Sequence, residues 1–271
     1  VRGVSVGGVY TSVHVPELGV LLDVGLAPRS FAGVDVLALS HGHADHIGAL
    51  TTLLGIRGLM RRGPLKLFMP SEIVDDVCAA VAATSRLQRW ELAIEPVGLQ
   101  PGDEQQLRDR LWLRAFRTLH PVPSLGYLFV QRVEKLRAEF ADLPGPEIAR
   151  RRKLGEDLLY LDERHELAYV TDSLITVLEC QPELLRVRVL VLECSFLDDR
   201  KDRAASRAGC HIHLDELIEW APRLENEQVV LMHFSQIYKP PEVREILQRR
   251  LPAELMERVR VFAPGRSDWP G

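Results

Sequence analysis

The sequence predicts an α/β protein, and two observations carry that prediction. Apolar runs of strand length alternate with stretches of helical periodicity over most of the chain. Five chemistry-bearing residues, His41, His120, Asp172, Glu193 and His233, each stand just beyond the C-terminal end of an apolar run. Layered α/β sheets deliver functional side chains to a shared crevice at that end of their strands.

The first forty residues divide into short strands separated by turns, among them 19–24 and 34–39. Ser40 ends the second of these and His41 follows. Helical periodicity then runs from about Asp45 to Arg62. Next come a strand over 65–69, a helix from Ser71 to about Thr84, a strand over about 111–119 that ends at His120, and its hairpin partner over 126–132. The segment from about Glu134 to Glu163 is charged and broken by Pro144-Gly145-Pro146. Alternation resumes with strands at 167–171, 187–192 and 228–232, and helices from about His213 to Trp220 and about Pro241 to Arg249. No linker, low-complexity tract or short repeat divides the chain, so one domain over 1–271 is expected.

Bulk properties exclude several classes. The 271 residues, 46% hydrophobic and 27% charged, have the composition of a soluble globular protein with one or two sizeable cores. A net charge of −4 gives no global basic field, so a polyanion site has to be a local patch. No apolar stretch reaches the roughly 18 residues of a membrane span. Val1-Arg2-Gly3-Val4 lacks the pattern of a secretory leader. Cys78, Cys180, Cys194 and Cys210 are scattered without a CxxC pair, which suits a reducing compartment. A cytoplasmic location is expected.

The chemistry concentrates in His41-Gly42-His43-Ala44-Asp45-His46. His41 and His43 are two residues apart in extended chain, so their imidazoles point the same way. Asp45 and His46 enter the first turn of a helix and can face a second metal beside the first. Imidazole and carboxylate together suit Zn²⁺, with Mn²⁺ or Fe as alternatives. His120, Asp172 and His233 complete the ligand types from other strand ends, and the Asp172 carboxylate can give one oxygen to each of two metals. The expected cofactor is therefore a pair of divalent metal ions, zinc first and manganese second.

With these residues in place, the chain resembles the metallo-β-lactamase superfamily, and within it the RNase Z (tRNA 3′-processing endonuclease) branch. HGHADH matches the signature HxHxDH. The segment 120–127, HPVPSLGY, is similar to the third-ligand segment. Thr171-Asp172-Ser173 stands where the family has Gly-Asp-Thr, Glu193-Cys194-Ser195-Phe196 resembles Glu-Ala-Thr-Phe, and His233-Phe234-Ser235 matches the final His-Phe-Ser. The resemblance spans Gly7 to about Phe262. It implies an αββα sandwich of two mixed β-sheets flanked by helices. It also implies one metal on His41, His43, His120 and Asp172, and a second on Asp45, His46, Asp172 and His233.

The resemblance further implies a metal-dependent phosphodiesterase or endoribonuclease, in which a hydroxide bridging the metals attacks phosphorus. Asp45 would orient that nucleophile, and Glu193 with His211 would handle the proton. His213 is the rival of His211 for this role, and Ser235 is a candidate substrate contact. Expected partners are a phosphodiester such as RNA or tRNA and a second copy in a homodimer, with no membrane.

Departures from the family pattern concern the substrate. The long Gly- and Pro-rich arm is missing, as is the N-terminal Pro-x-Lys-x-Arg-Asn loop. Ile237 replaces an Arg, and Cys210 replaces the Gly before the proton-handling His. The run Arg150-Arg151-Arg152-Lys153 could grip an RNA backbone, but a solvated helix face is the expected reading. His14 and His165 fit no ligand set. Alternatives are a glyoxalase-II-like thioesterase, a flavo-di-iron oxidoreductase, which His43 argues against, and a non-enzymatic RNA-binding protein.

Overall fold

In the computed structural model, which describes residues 1–263, the strands form two sheets. Residues 264–271, the end of the expected domain, lie outside the described residues. The first sheet holds β1 (Arg2–Val6), β2 (Tyr10–Val15), β3 (Val20–Leu22), β4 (Val36–Ala38), β5 (Leu65–Pro70) and β6 (Ile94–Leu99) in that order. The second runs from β7 (Glu104–Arg108) through β8 (Leu111–Arg117), β9 (Leu125–Leu136), β10 (Leu159–Val170), β11 (Val189–Glu193) and β12 (Gln228–Met232) to β13 (Val259–Val261). Both are mixed. β1 to β3 pair antiparallel and β3 to β6 parallel, while β7 to β10 pair antiparallel and β10 to β13 parallel.

The helices are α1 (Ala44–Ile47), α2 (Leu50–Leu59), α3 (Val74–Gln88), α4 (Gly145–Lys153), α5 (Val177–Cys180), α6 (Arg203–Ala208), α7 (Leu214–Trp220), α8 (Pro240–Arg250) and α9 (Ala253–Met256). None is long and apolar enough to cross a membrane.

Strand periodicity sorts the apolar side chains into three layers. Along β9, Tyr127 and Phe129 point inward and meet Val13, Leu22 and Phe68 of the first sheet. Their neighbours Leu128 and Val130 point outward and pack with Leu190 and Leu192 against α7 and α8 through Leu214, Leu217, Val243 and Leu247. On the other side, Leu21, Leu37 and Leu67 face α2 and α3 through Leu53, Leu54, Val77 and Val81. Helix, sheet, sheet, helix is the αββα order that the resemblance implies.

Three elements differ from the sequence reading. The helix expected over 45–62 is two helices. The Ala49 amide donates to the Val24 carbonyl at 2.9 Å instead of continuing the helix. Gly48 packs so closely that an added Cβ would lie 2.4 Å from the Ala44 carbonyl oxygen. The strands β6 and β7 were unanticipated because both are largely solvated and lack the alternation that reveals a half-buried strand.

The charged segment 134–163 is also partly strand. β9 and β10 stay paired as far as Leu136 and Leu159, past the point where β8 and β11 accompany them. The connection 137–158 caps this two-stranded extension and contains α4. Charged residues dominate here because both faces of the extension meet water.

β8 and β10 to β12 run in one direction, so their C-terminal ends open on a single edge of the sandwich. The loops that leave those ends, with the loop after β4, build the site.

Candidate metal centre

Five segments bring the expected ligands together. The turn after β4 supplies His41 and His43, α1 supplies Asp45 and His46, and residues just past β8, β10 and β12 supply His120, Asp172 and His233. Among the described residues His41, His43, His120 and Asp172 form one group with metal-ligand spacing; Asp45, His46 and His233 form another. The two groups meet at Asp172. Its Oδ2 lies 3.6 Å from His41 Nε2 and 4.0 Å from His120 Nε2. Its Oδ1 lies 3.5 Å from His46 Nε2 and 3.2 Å from His233 Nε2. Asp45 Oδ2 lies 3.4 Å from His46 Nε2 and 3.6 Å from His233 Nε2.

The tautomers can be worked out from the surrounding hydrogen bonds. Buried Asp23 accepts from the Ser40 amide at 2.6 Å, the Ser40 hydroxyl at 2.8 Å, Tyr169 Oη at 2.7 Å and His46 Nδ1 at 2.7 Å. Because the Ser40 hydroxyl spends its proton on Asp23, His41 Nδ1 donates to Ser40 Oγ at 2.9 Å. On the far side, Ser195 Oγ donates to Glu193 at 2.6 Å, so His233 Nδ1 donates to Ser195 Oγ at 3.1 Å. The Nε2 atoms of His41, His46 and His233 are thereby the ones turned toward Asp172.

That arrangement is a test of fit for a metal. The Nε2 atoms of His46 and His233 lie 3.3 Å apart, and buried His41 Nε2 has no hydrogen-bond partner. Two imidazole nitrogens so placed need a cation between them, either a proton or a metal ion that displaces it. Tetrahedral Zn²⁺ with ligands at about 2.0–2.1 Å has donor–donor separations of about 3.4 Å, close to the distances here. The donor set fits divalent metal.

Charges follow the same logic. Burial holds the His41 imidazole neutral, with its pKa lowered to about 2, and nearby His46 adds to the effect. Burial opposes charge on His46 too, but the carboxylates of Asp172 and Asp23 outweigh it and raise its pKa. Burial works to raise the Asp45 and Asp172 carboxyls, and the surrounding histidines more than reverse it, so both stay ionised. The Gly8 amide donates to Asp45 Oδ2 at 3.0 Å. Gly25 is needed below it, since an added Cβ would lie 1.9 Å from the Asp45 carbonyl oxygen.

Beside the ligands lies a carboxylate–imidazole pair. Glu193, fully buried, accepts from the Ser173 amide at 2.8 Å and from His211 Nδ1 at 3.2 Å. Burial disfavours the His211 cation, but Glu193 raises its pKa to about 9, so His211 is charged at neutral pH. A ring nitrogen of His211 also groups with Asp172 and His233 at metal-ligand spacing. His213 is elsewhere. Its Nδ1 accepts from the Asp215 amide at 3.2 Å and closes a capping box at the start of α7.

The remaining residues named from sequence fall as follows. Ser235 sits on the rim, its backbone held by Ser195 and Gly7 and its hydroxyl accepting from the Ile237 amide at 3.5 Å. Cys210 adopts φ 56°, which accounts for glycine at that position in the family. Arg150 and Arg151 both pair with Glu147 along exposed α4. His14 packs edge-on to Phe31, and His165 lies at an irregularity in β10.

Sequence reasoning missed Asp23, Ser40 and Ser195. Asp23 carried a usable signal, because a chemistry-bearing residue at the end of an apolar strand is the pattern that singled out His120 and Asp172. Asp23, Asp172 and His233 all have positive φ, at 57°, 44° and 60°, a conformation that non-glycine residues keep where a site demands it. A separate cavity of about 900 Å³, lined by Glu17, Arg108, Glu166 and Arg188 among others, lies toward the N-terminal ends of β8 and β11, away from these groups.

Residues 19–234 match the family described as beta-lactamase superfamily domain. The chain is 32% identical to tRNase Z TRZ1 of Arabidopsis thaliana over 98% of this chain and 95% of that protein. It is 36% identical to a nuclear ribonuclease Z of Triticum aestivum over 58% of this chain and 90% of the relative. Among solved structures, the metallo-beta-lactamase fold protein YhfI of Bacillus subtilis superposes with a TM-score of 0.60 at 14% identity, covering 97% and 94% of the two chains. Human tRNase Z, short form, superposes at 0.56 with 16% identity, covering 96% and 93%. The matched family and the length of the shared sequence place this chain in the metallo-β-lactamase superfamily, in its RNase Z branch.

Proposed function

We propose that this chain is a metal-dependent endoribonuclease of RNase Z type that hydrolyses a phosphodiester bond in RNA, with precursor tRNA as its substrate. The observation that carries the reading is the charged His211–Glu193 pair beside two donor groups that share Asp172. Relatives named tRNase Z and ribonuclease Z support it.

His41, His43, His120 and Asp172 would hold one divalent metal, and Asp45, His46, Asp172 and His233 a second, with zinc the first choice and manganese the second. Metals bound there would supply a water of lowered pKa and positive charge for the phosphoryl oxygens. Asp45, fixed by the Gly8 amide, aligns the attacking water with its carboxylate. His211 carries a proton to the leaving ribose oxygen, while Glu193 holds the Nδ1–H side and keeps the ring charged until transfer. A thiolate leaves without a proton, so the pair has no task in a thioesterase.

The test is parallel incubation with precursor tRNA, bis(4-nitrophenyl) phosphate and a glutathione thioester, with Asp45→Ala as control. Cleavage of the tRNA by the wild type and a loss of at least about 10²-fold in the variant are expected. Turnover of the thioester with neither phosphodiester cut would overturn the reading.

A further inference from the structure

On the His120 side of the centre, the ends of β5, β6 and β8 and the loop 118–125 enclose a cavity of about 350 Å³. Its volume is in the range of small-molecule sites. His120 is itself part of the lining, so whatever occupies the cavity is continuous with the metal centre. Pro70, Pro101, Pro121 and Pro123 make up much of the wall. Their fixed φ makes that wall pre-formed, and they present no amide donors of their own.

Two charged side chains line it. Arg117 is exposed and makes no side-chain hydrogen bond or ion pair among the described residues. It stands apart from Arg114 on the same strand and Arg132 on the next, which are both engaged by Glu104 and Glu163. An uncommitted guanidinium beside the centre offers its fork of donors to a phosphate. Glu72 accepts one hydrogen bond, from the Ser71 hydroxyl at 3.2 Å, and keeps acceptor capacity free. A carboxylate in that position suits an exocyclic amino group, as on cytosine.

We propose that this cavity is a nucleotide subsite: Arg117 holds a phosphate neighbouring the scissile one, the prolines flank the base, and Glu72 accepts from the base's amino group. The assignment rests on the RNA-cleaving reading of the adjoining centre. It adds a preference for a base bearing an amino group over uracil at the flanking position.

The test is fluorescence anisotropy with labelled single-stranded hexamers of cytidylate and of uridylate, using metal-loaded wild type, Arg117→Ala and Glu72→Ala, with precursor-tRNA cleavage followed in parallel. Both residues are exposed, so thermal midpoints should be unchanged. The wild type should bind the cytidylate hexamer about 3–10-fold more tightly. Arg117→Ala should weaken both hexamers about 5–30-fold and reduce the slope of log affinity against log salt by about 0.7, the release of one phosphate contact on a single strand. Glu72→Ala should abolish the preference for cytidylate.

Arg117→Ala within twofold of the wild type with an unchanged salt slope overturns the subsite, as does a wild type that binds neither hexamer. Binding that depends on Arg117 without any tRNA cleavage leaves the subsite standing and overturns the endoribonuclease reading instead.

Discussion

Asp23 accepts a 2.7 Å hydrogen bond from His46 Nδ1, and neither side chain meets solvent. This contact decides which nitrogen of His46 faces the centre. The same carboxylate fixes His41 through Ser40, so one residue outside the ligand set orients two of its imidazoles. Asp23→Asn should therefore disturb metal binding more than folding. An amide nitrogen placed among four donors forces at least one of them to turn away. Groups that orient metal-bound histidines are worth about 10–100-fold in affinity. Metal content after dialysis against a buffered chelator should fall by that order, with far-ultraviolet circular dichroism unchanged. Full retention of metal would show that Asp23 does not orient these rings.

His211→Ala separates proton transfer from the rest of the chemistry. An RNA leaving oxygen is a poor leaving group, so kcat on precursor tRNA should drop about 10²–10⁴-fold. Nitrophenolate leaves without help, so turnover of bis(4-nitrophenyl) phosphate should fall less than about tenfold. Equal losses on the two substrates would remove His211 from the proton-transfer role.

The pH profile tests the partner of that residue. Glu193 holds the His211 pKa near 9, above its ordinary 6.5. The protonated form should then persist through neutral pH, and kcat on RNA should decline as pH rises through about 9. The pair's contribution to stability has the same sign: fully present below about pH 6.5 and lost as pH rises through about 9. In Glu193→Gln the burial of His211 is opposed chiefly by Asp172, so the alkaline limb should move down toward pH 6.5. An unmoved limb would mean that another group controls it.

How far the sequence could be read depended on where each signal lay. The candidate ligands were legible because six consecutive residues carry four of them and the rest end apolar strands. β12, with both faces buried, was legible to the residue as Gln228–Met232. β6, with Pro96 and Gly98 in a largely solvated strand, carried no such pattern. The break between α1 and α2 was hidden because it depends on a long-range bond from Ala49 to Val24, which no local periodicity records. Asp23 was passed over for a different reason. Its role comes from Ser40, His46 and Tyr169, which converge on it only once the sheets are stacked.

Removing metal should destabilise the protein as well as silence it. Without metal the Nε2 atoms of His46 and His233 still face each other at 3.3 Å, and a proton has to take the metal's place. Metal held at about 100 times its dissociation constant stabilises a fold by about 2.7 kcal/mol per site. At about 2–4 °C per kcal/mol for a chain of this size class, calorimetry should show the chelated protein melting lower by about 5–10 °C for each metal removed. Added Zn²⁺ or Mn²⁺ should restore the midpoint, and whichever ion also restores RNA cleavage identifies the working metal.

Arg57 offers a contrast, because its work is structural. Only 2% exposed on α2, it donates to the carbonyls of Ala32, Val34 and Gly63 and to the Asp35 carboxylate. These bonds tie α2 to the turn that leads into β4, and so hold together the two segments flanking HGHADH. Arg57→Ala would leave the buried Ala32 carbonyl and the half-buried Val34 carbonyl without their donor, and a buried acceptor left unpaired costs about 1–3 kcal/mol. Denaturant titration should show a loss of that size. Below the shifted midpoint, the folded fraction should keep its metal and its kcat, since Arg57 touches neither a ligand nor a residue that orients one. A fall in metal content without a fall in stability would contradict this, and would place Arg57 among the residues that shape the centre.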